Sequence, residues 1–382
     1  MALRFLLGMA LMLCSWLAYA DHPDCDSRYV EEVASKIVLA PSEAVGKDSS
    51  NLECAFKLAI HKKKPLVELK QGEYLLRTRV SVNNFNGTLS GRTIATTTVS
   101  GCSGDRGGII FHGGSPTLTK MTFDSQGRNC DNHITVTSSP DSCGKNSTVF
   151  IKMDRILFRS DRYGDGSAIV IGPRNVCTTS FQADPWLLGK VLINRVDFEG
   201  SFDVAADIAM AGGAQVDVFF SNLIARDAGL YLRNTGANAQ VVSSSIESTR
   251  LSSTAVLIQD SAGIRRGNNV LTISKSLIRG YGDAIYQDCS NKCFINVSDS
   301  EVHASFGSPI LTTRTGAFRI FDSLVYGDKS IVLHENSVMS NNDVDIFAIP
   351  DIRLLGGGNT INQPDNDVIA PAGSNNLISS RN

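Results

Sequence analysis

Seven segments between residues 148 and 327 repeat one pattern, and this repeat limits the folds open to the chain more than any other feature. Each segment has an apolar strand with alternating polar residues, a short polar break, and an apolar residue that restarts the alternation. The restarts lie 22 to 40 residues apart, a range typical of repeat proteins with loops of variable length. The restart residues are Ile156, Val196, Leu223, Ile246, Leu277, Val302 and Leu324.

The polar breaks predict corners in the chain. Side chains alternate between the two faces of a strand, so burial can continue after a phase shift only if the chain turns. Small hydrogen-bonding residues suit such corners and can bond to the next coil. They are Asp154, Asn194, Ser221, Asn222, Ser244, Ser276, Ser300 and Ser323. The restart residue begins a new strand, and a further apolar strand follows it. With the strand before the break, a coil therefore has three strands and three turns. We therefore predict an all-β parallel β-helix (solenoid) over residues 65–335.

The two ends of the chain have a different composition. Residues 1–20 carry Arg4, then an apolar stretch and an A-x-A site, the pattern of a signal peptide that is cleaved on export. Apolar residues at four-residue spacing (Leu52, Phe56 and Ile60) predict a helix, so residues 21–64 are expected to form an N-terminal helical cap. The Asn-, Gly- and Pro-rich residues 336–382 are expected to form a closing coil and a flexible tail.

Charge and cysteine content narrow the cell compartment and the partners. The chain has 36 Lys and Arg against 38 Asp and Glu, so no basic surface for nucleic acid is expected. No second long apolar segment follows the signal, so we expect no membrane anchor. Eight cysteines lie after the signal, an even number that favours disulfides in a secreted or periplasmic chain. They are Cys25, Cys54, Cys102, Cys130, Cys143, Cys177, Cys289 and Cys293. Their spacing does not fit a zinc set, so no metal site is predicted.

The cap helix, a strand followed by Gly72-Glu73-Tyr74, and the coil repeats together resemble the pectin-lyase-like right-handed parallel β-helix superfamily, over residues 52–335. The resemblance implies a right-handed helix and a polysaccharide partner. It is specific for the fold and unspecific for the reaction. The polygalacturonase, pectate lyase and mannuronan epimerase motifs are absent from the sequence. No cofactor is identified from the residues, and calcium is implied by the resemblance alone.

The second strand set is where polysaccharide lies in resembling proteins. If Ile169, Ile208, Leu230, Val256, Ile285, Ile310 and Ile331 point inward, two columns of side chains point outward. The first is Val170, Ala209, Tyr231, Leu257, Tyr286, Leu311 and Val332, and the second is Gly172, Ala211, Arg233, Gln259, Asp288, Thr313 and His334. Asp207 is expected on the same face, and Asp227 and Asp283 in the turns before their strands.

These outward residues allow two kinds of chemistry. In an elimination, Arg233 would neutralise a uronate carboxylate and Tyr231 would transfer protons. In a hydrolysis, Asp207 and Asp227 would flank the scissile bond. The predicted substrate-binding residues are Gln259, Tyr286, Asp288 and Asp283.

Two functions are consistent with this face. One is a secreted lyase or hydrolase of acidic, uronate-containing glycans. The other is a non-catalytic β-helix that binds glycan or a partner protein at a surface. A purely structural role for each of these residues is the alternative to both functions, because Tyr is common in pleated strands and Asp is common in turns.

Overall fold

The computed structural model describes residues 25–379, except for several internal segments. Those outside the description are 45, 102–107, 127–131, 140–146, 173–186, 211–212, 234–237, 260–268, 290–292, 314–315, 335–337, 343–351, 356–359, 363–367 and 370–374. The predicted signal peptide lies outside the described residues.

Three parallel sheets run along the described chain, and each complete coil adds one strand to each sheet. Sheet 1 contains Lys36–Leu39, Leu66–Leu69, Thr88–Ser90, Gln215–Phe219, Asn238–Val242, Asn269–Ser274, Cys293–Ser298, Gly316–Phe321, Val338–Asn342, Thr360–Asn362 and Leu377–Ser379. Sheet 2 contains Gly72–Leu75, Thr97–Ser100, Asn222–Ala225, Ser245–Ser248, Leu277–Gly280, Glu301–Ala304 and Leu324–Gly327. Sheet 3 contains Val80–Asn83, Ile109–His112, Ile134–Thr137, Ala228–Arg233, Thr254–Gln259, Asp283–Asp288, Ile310–Thr312, Ile331–His334, Ile352–Leu355 and Val368–Ile369.

Three long strands pass through more than one sheet. Thr117–Asp124 belongs to sheets 1 and 2, and Ser147–Ile171 and Leu187–Ile208 bend through all three. Ten complete coils lie between residues 66 and 334 of the described chain, where the repeats identified seven. The all-β right-handed parallel β-helix with an N-terminal cap helix is confirmed. Strands of sheets 1 and 3 continue past residue 335, in the segment where the sequence predicts a closing coil and tail.

The N-terminal cap consists of a hairpin and one helix. Strands Val30–Val33 and Lys36–Leu39 pair antiparallel, before the helix Lys47–His61. Phe56 of this helix is buried and meets Phe85 and Phe111 of the first coils edge-on, at ring-centre distances of 4.9 and 5.7 Å. The helix therefore covers the end of the apolar interior. No helix in the described part of the chain is long and apolar enough to cross a membrane.

The predicted apolar face of this helix is only partly correct. Leu52 and Phe56 are buried, but Ile60 is 40% exposed. Four residues turn an α-helix by about 400° at 3.6 residues per turn. Two steps of four therefore rotate Ile60 roughly 80° away from Leu52, which is enough to leave the covered face.

A ladder of serines forms the corner between sheets 1 and 2. The backbone N–H of one corner serine donates to the hydroxyl of the corner serine in the next coil, at 3.1–3.2 Å. The participants are Ser221, Ser244, Ser276, Ser300 and Ser323. In each of these coils the preceding residue has a positive φ of 42–50°, which turns the chain. The corners predicted at these five serines are confirmed, whereas Asn222 is the first residue of a sheet 2 strand.

Two restart residues were wrong by one position. Ile246, Ile278, Val302 and Val325 align in successive coils and are fully buried, whereas Leu277 and Leu324 sit one residue earlier and are half-buried. An apolar residue stands directly before the buried position in these two coils. Because side chains alternate along a strand, a shift of one residue places them on the outer face.

The serine ladder gives a first prediction. Ser276 is buried, accepts the Ser244 N–H and donates to the Ser274 carbonyl oxygen at 2.7 Å. Ser276→Ala leaves that buried N–H without its acceptor, so the free energy of unfolding should fall by about 1–2 kcal/mol. Urea denaturation followed by circular dichroism measures it. Ser252→Ala, at an exposed position, should change stability by less than about 0.5 kcal/mol; equal losses in both variants would contradict a special role for the corner.

Candidate functional site

The outer face of sheet 3 carries two columns of side chains, as predicted, but with a corrected register. The first column runs through Val170, Asp207, Tyr231, Leu257, Tyr286, Leu311 and Val332. Asp207, not Ala209, stands beside Tyr231, and Ala206, not Ile208, aligns with Leu230 in the inward row. A two-residue shift preserves the alternation of faces, so the apolar pattern alone could not detect it.

This face is exposed at Ser81 in the first coil, covered at several positions of the following coils, and accessible again in the later ones. Ile110, Thr135 and Ala209 point outward but are at most 6% exposed. From Ala228–Arg233 onward the outward residues are partly exposed. We call this accessible set the open face: Tyr231, Arg233, Leu257, Gln259, Tyr286, Asp288, Leu311 and Thr313.

Arg233 and Asp207 form a two-pronged ion pair at one end of the open face. Arg233 Nε and Nη2 donate to the two carboxylate oxygens of Asp207, each at 2.6 Å. The Asp207 side chain is 12% exposed and that of Arg233 is 40% exposed. Burial raises the pKa of Asp207, and the charge and hydrogen bonds of Arg233 oppose this rise. The pair thus keeps a carboxylate in a site that would otherwise disfavour its charge.

Tyr231 links this pair to the next coil. Its ring lies 5.3 Å from the Arg233 guanidinium carbon, a cation–π contact. Its hydroxyl donates to Gln259 Oε1. Burial raises the pKa of Tyr231, so the phenol stays protonated and serves as a donor. A raised pKa makes Tyr231 a poor proton acceptor at neutral pH.

Tyr286 and Asp288 extend the open face by one coil. Tyr286 aligns with Leu257 and Leu311, and Asp288 aligns with Gln259, all partly exposed. Coils are about 4.8 Å apart, so Tyr231 and Tyr286, two coils apart, are separated by roughly 10 Å. Among the described residues, the face is therefore a strip with two tyrosine rings in one column and polar groups in the next.

Two predicted residues lie outside this group. Asp227 aligns with Asp203, four residues before Asp207, which corresponds to roughly 13 Å along the strand. It pairs with Arg250 at 3.3 Å in an exposed turn. Paired carboxylates of glycosidases are about 5–10 Å apart, so Asp207 and Asp227 do not form such a pair. Asp283 accepts the Ser308 N–H at 2.8 Å and fixes a turn.

A calcium site does not fit the described residues of this face. Calcium takes 6–8 oxygen ligands, several from carboxylates. Asp207 already gives both oxygens to Arg233, and no group of three or more His, Cys, Asp or Glu side chains converges within the described chain.

An exposed apolar ridge precedes sheet 3 in three successive coils, and sequence reasoning missed it. It consists of Leu251, Tyr281 and Phe306, which are 64, 40 and 47% exposed. The rings of Tyr281 and Phe306 contact each other at 4.9 Å. A glycine follows each ring: a Cβ on Gly282 would lie 2.3 Å from the Ser253 carbonyl oxygen. This repeated aromatic–glycine pair was the signal available in the sequence.

Two of the predicted disulfides form within the described residues. Cys289 pairs with Cys293, directly after Asp288, and Cys25 pairs with Cys54, which ties the segment before the hairpin to the cap helix. The other four cysteines, Cys102, Cys130, Cys143 and Cys177, lie outside the described residues.

Comparisons with known proteins give structural matches only. No family model and no curated protein sequence matches the chain. Among solved structures, the A-module of mannuronan C-5 epimerase AlgE6 from Azotobacter vinelandii is 13% identical, with a TM-score of 0.41, over 87% of this chain and 95% of that one. The Agl-KA catalytic domain is 12% identical, with a TM-score of 0.49, over 92% of this chain and 69% of that one. The strand pairings, and not these matches, define the fold.

Proposed function

We propose that this protein is exported and binds polysaccharide along the open face of sheet 3. The observation that carries the proposal is the strip itself, in which two partly exposed tyrosine rings alternate with Leu257 and lie beside Arg233, Gln259 and Asp288. Sugar rings have apolar C–H faces and hydroxyl edges. A strip with ring surfaces on one column and hydrogen-bonding groups on the next matches both.

The repeat of the fold also suits a repeating ligand. Equivalent positions recur every coil at about 4.8 Å, a spacing comparable to the length of one sugar unit. A chain laid along the helix axis would therefore meet a similar environment in each coil. Export is supported by the two disulfides, which persist in oxidising compartments.

The two tyrosines give the test of this proposal. Tyr231→Ala combined with Tyr286→Ala should weaken polysaccharide binding at least about tenfold, because buried aromatic anchors dominate such interfaces. Isothermal titration calorimetry or affinity electrophoresis on a panel of neutral and acidic polysaccharides measures the change.

Two control variants locate the effect. Tyr326→Ala removes a tyrosine of sheet 2, whose hydroxyl donates to Glu301 at 2.6 Å, and should leave binding unchanged. Tyr281→Ala combined with Phe306→Ala removes the rings of the ridge and should also leave binding unchanged. If the ridge variant alone lost binding, the contact would belong to the ridge, which is the surface suited to a partner protein.

An elimination reaction is the second candidate, because Arg233, Tyr231 and Asp207 converge at one point. Its requirements are met in part: a cation is present, but it is paired, and the tyrosine holds its proton. Incubation of the mature protein with alginate and polygalacturonate, followed by absorbance of the unsaturated product, tests it. A separate reducing-end assay tests hydrolysis. A signal in either assay that Tyr231→Phe abolishes would establish catalysis.

A further inference from the structure

The corner between sheets 1 and 2 carries a row of side chains, one per coil, and the first part of this row is cationic. Each member has a positive φ and stands at the same place in its coil. In chain order the row is Lys120, Arg155, Arg195, Phe220, Ser243, Lys275, Asp299 and Asp322. We call the first four residues the cationic edge. We infer that this edge binds an acidic polysaccharide, at a site separate from the open face of sheet 3.

The turn itself does not explain the residue types of the cationic edge. Lys120, Arg155 and Arg195 have φ values of 60, 55 and 53°. Side chains with a Cβ are disfavoured in this region, where Asn, Asp and Gly are the usual residues. The same corner is made by Asp299 and Asp322 in later coils. Three successive cations are therefore no requirement of the fold, whereas a ligand outside the chain would give them a purpose.

Most of the charge of the edge is available to a ligand. Lys120 and Arg195 make no ion pair within the described part of the chain. Arg155 donates from Nε to Asp154 at 3.0 Å, and its side chain is 48% exposed. The Asp154 side chain is only 12% exposed and also accepts from Asn194 at 2.6 Å. Three cations against this one carboxylate leave the row with two net positive charges.

The faces beside the corner do not cancel this charge. Lys152 on sheet 1 and Asp197 on sheet 2 are the nearest exposed charged residues on either side, and they offset each other. Asp124 and Glu199 lie farther along sheet 2 and share Arg159, at 3.8 and 3.1 Å. An anion at the edge would therefore meet these carboxylates only beyond the row of cations.

The spacing and the aromatic residue indicate the class of ligand. Neighbouring coils are about 4.8 Å apart, so a polymer laid along the edge could place one carboxylate per sugar unit beside each cation. Phe220 ends the cationic part and is 61% exposed, which offers a flat apolar surface to the C–H face of a sugar ring. Single-stranded nucleic acid is held by several successive aromatic residues, and the edge has one.

The end of the row limits the length of the site. Asp299 and Asp322 take the corner position in the last two coils of the row and would repel a polyanion that continued along the same line. The favourable part spans four coils, which is roughly 15 Å. We therefore expect the edge to hold about three to four uronate units.

The first experiment removes the two cations that make no described ion pair. Lys120→Asn combined with Arg195→Asn should lower the affinity for polygalacturonate oligomers about tenfold at low salt, because each exposed charge pair contributes up to about 1 kcal/mol. Titration calorimetry measures the affinity, and the wild-type affinity should fall as salt is raised. The midpoint of urea unfolding should stay unchanged or rise, because Asn suits a positive φ.

A control variant removes the same amount of charge elsewhere. Lys275→Asn combined with Arg319→Gln replaces an isolated cation of the same corner and an exposed one of sheet 1, and should change the affinity less than about twofold. Equal losses in the two double variants would reduce the effect to overall charge and overturn the inference. Full affinity in the folded edge variant, or no binding of acidic polysaccharide by the wild-type protein, would overturn it as well.

The second experiment separates the edge from the proposed open-face site. Tyr231→Ala combined with Tyr286→Ala leaves the cationic edge intact, so polygalacturonate binding should persist in this variant and disappear when the two edge substitutions are added. Polygalacturonate binding that the tyrosine variant loses and the edge variant keeps would overturn the inference and leave the proposed function standing. Loss of the edge interaction alone would leave dextran and laminarin binding on the open face unaffected.

Two other polyanions test the ligand class. Vesicles that contain phosphatidylserine and a single-stranded oligonucleotide are compared with polygalacturonate at the same salt concentration. We expect weaker binding of both, because neither presents a sugar face to Phe220 together with one carboxylate per coil. Tighter binding of either, lost in the edge variant, would assign the edge to lipid or nucleic acid and overturn the assignment to polysaccharide.

Discussion

Replacing Cys25 and Cys54 by serine is expected to lower the free energy of unfolding of the cap by about 3–4 kcal/mol. The disulfide joins residues 29 positions apart and ties the segment before the first hairpin to the cap helix. In the chain-entropy account, a bridge stabilises mainly by restricting the unfolded chain, more so for a longer loop. Hydrogen exchange or limited proteolysis of the first coils measures the loss.

The second disulfide is the matched control. Cys289 and Cys293 are four positions apart, so the same reasoning gives about 2 kcal/mol for their replacement. The effect should also be local to the coil of Asp288, whereas loss of Cys25–Cys54 should expose the end of the apolar interior around Phe56. Equal losses in both variants, or protection of the first coils that is unchanged, would show that packing alone holds the cap.

Much of the fold could be predicted from the sequence because every coil of a solenoid needs a similar residue pattern. Each coil needs an apolar strand, a corner and a second apolar strand, so the same pattern appears many times. The serines at the corners carry specific information, since a small hydroxyl next to a positive φ bonds to the next coil. The three coils before residue 138 were less visible, because their strands are short and separated by turns of differing length.

The site was harder to predict, for a physical reason. Alternation tells which side chains point outward, but it is unchanged by a shift of two residues. The sequence therefore placed Asp207 on the correct face and Ala209 in the wrong row. Position along the strand matters as much as face: Asp227 and Asp283 are close to the strip in sequence, yet their partners are Arg250 and the Ser308 backbone.

The pairing of Arg233 with Asp207 changes the role that can be assigned to each residue. An arginine on a sheet face is naturally read as a ligand for an anionic substrate, and a nearby aspartate as a general acid or base. In the folded chain each is the other's principal partner. Loss of binding in a variant of either residue is therefore informative only when its stability is measured as well.

Arg233→Ala is expected to lower the free energy of unfolding by about 2–3 kcal/mol, because it leaves the Asp207 carboxylate unpaired in a largely buried position. Arg250→Ala is the matched control, since Arg250 pairs with Asp227 in a more exposed setting, and it should cost less than about 1 kcal/mol. Urea denaturation of both variants measures the difference. Equal small losses would mean that Asp207 finds water or another donor when Arg233 is removed.

The pH dependence of the Arg233→Ala variant separates an unpaired charge from lost packing. Burial raises the pKa of Asp207 and Arg233 lowers it, so removing Arg233 leaves the raising effect alone. A carboxyl whose pKa is higher in the folded than in the unfolded chain favours folding when protonated, and this contribution is lost as pH rises through the folded pKa. The deficit of the variant should therefore shrink as pH falls from neutral towards about 4. A deficit independent of pH would assign the loss to packing of the arginine side chain against Tyr231.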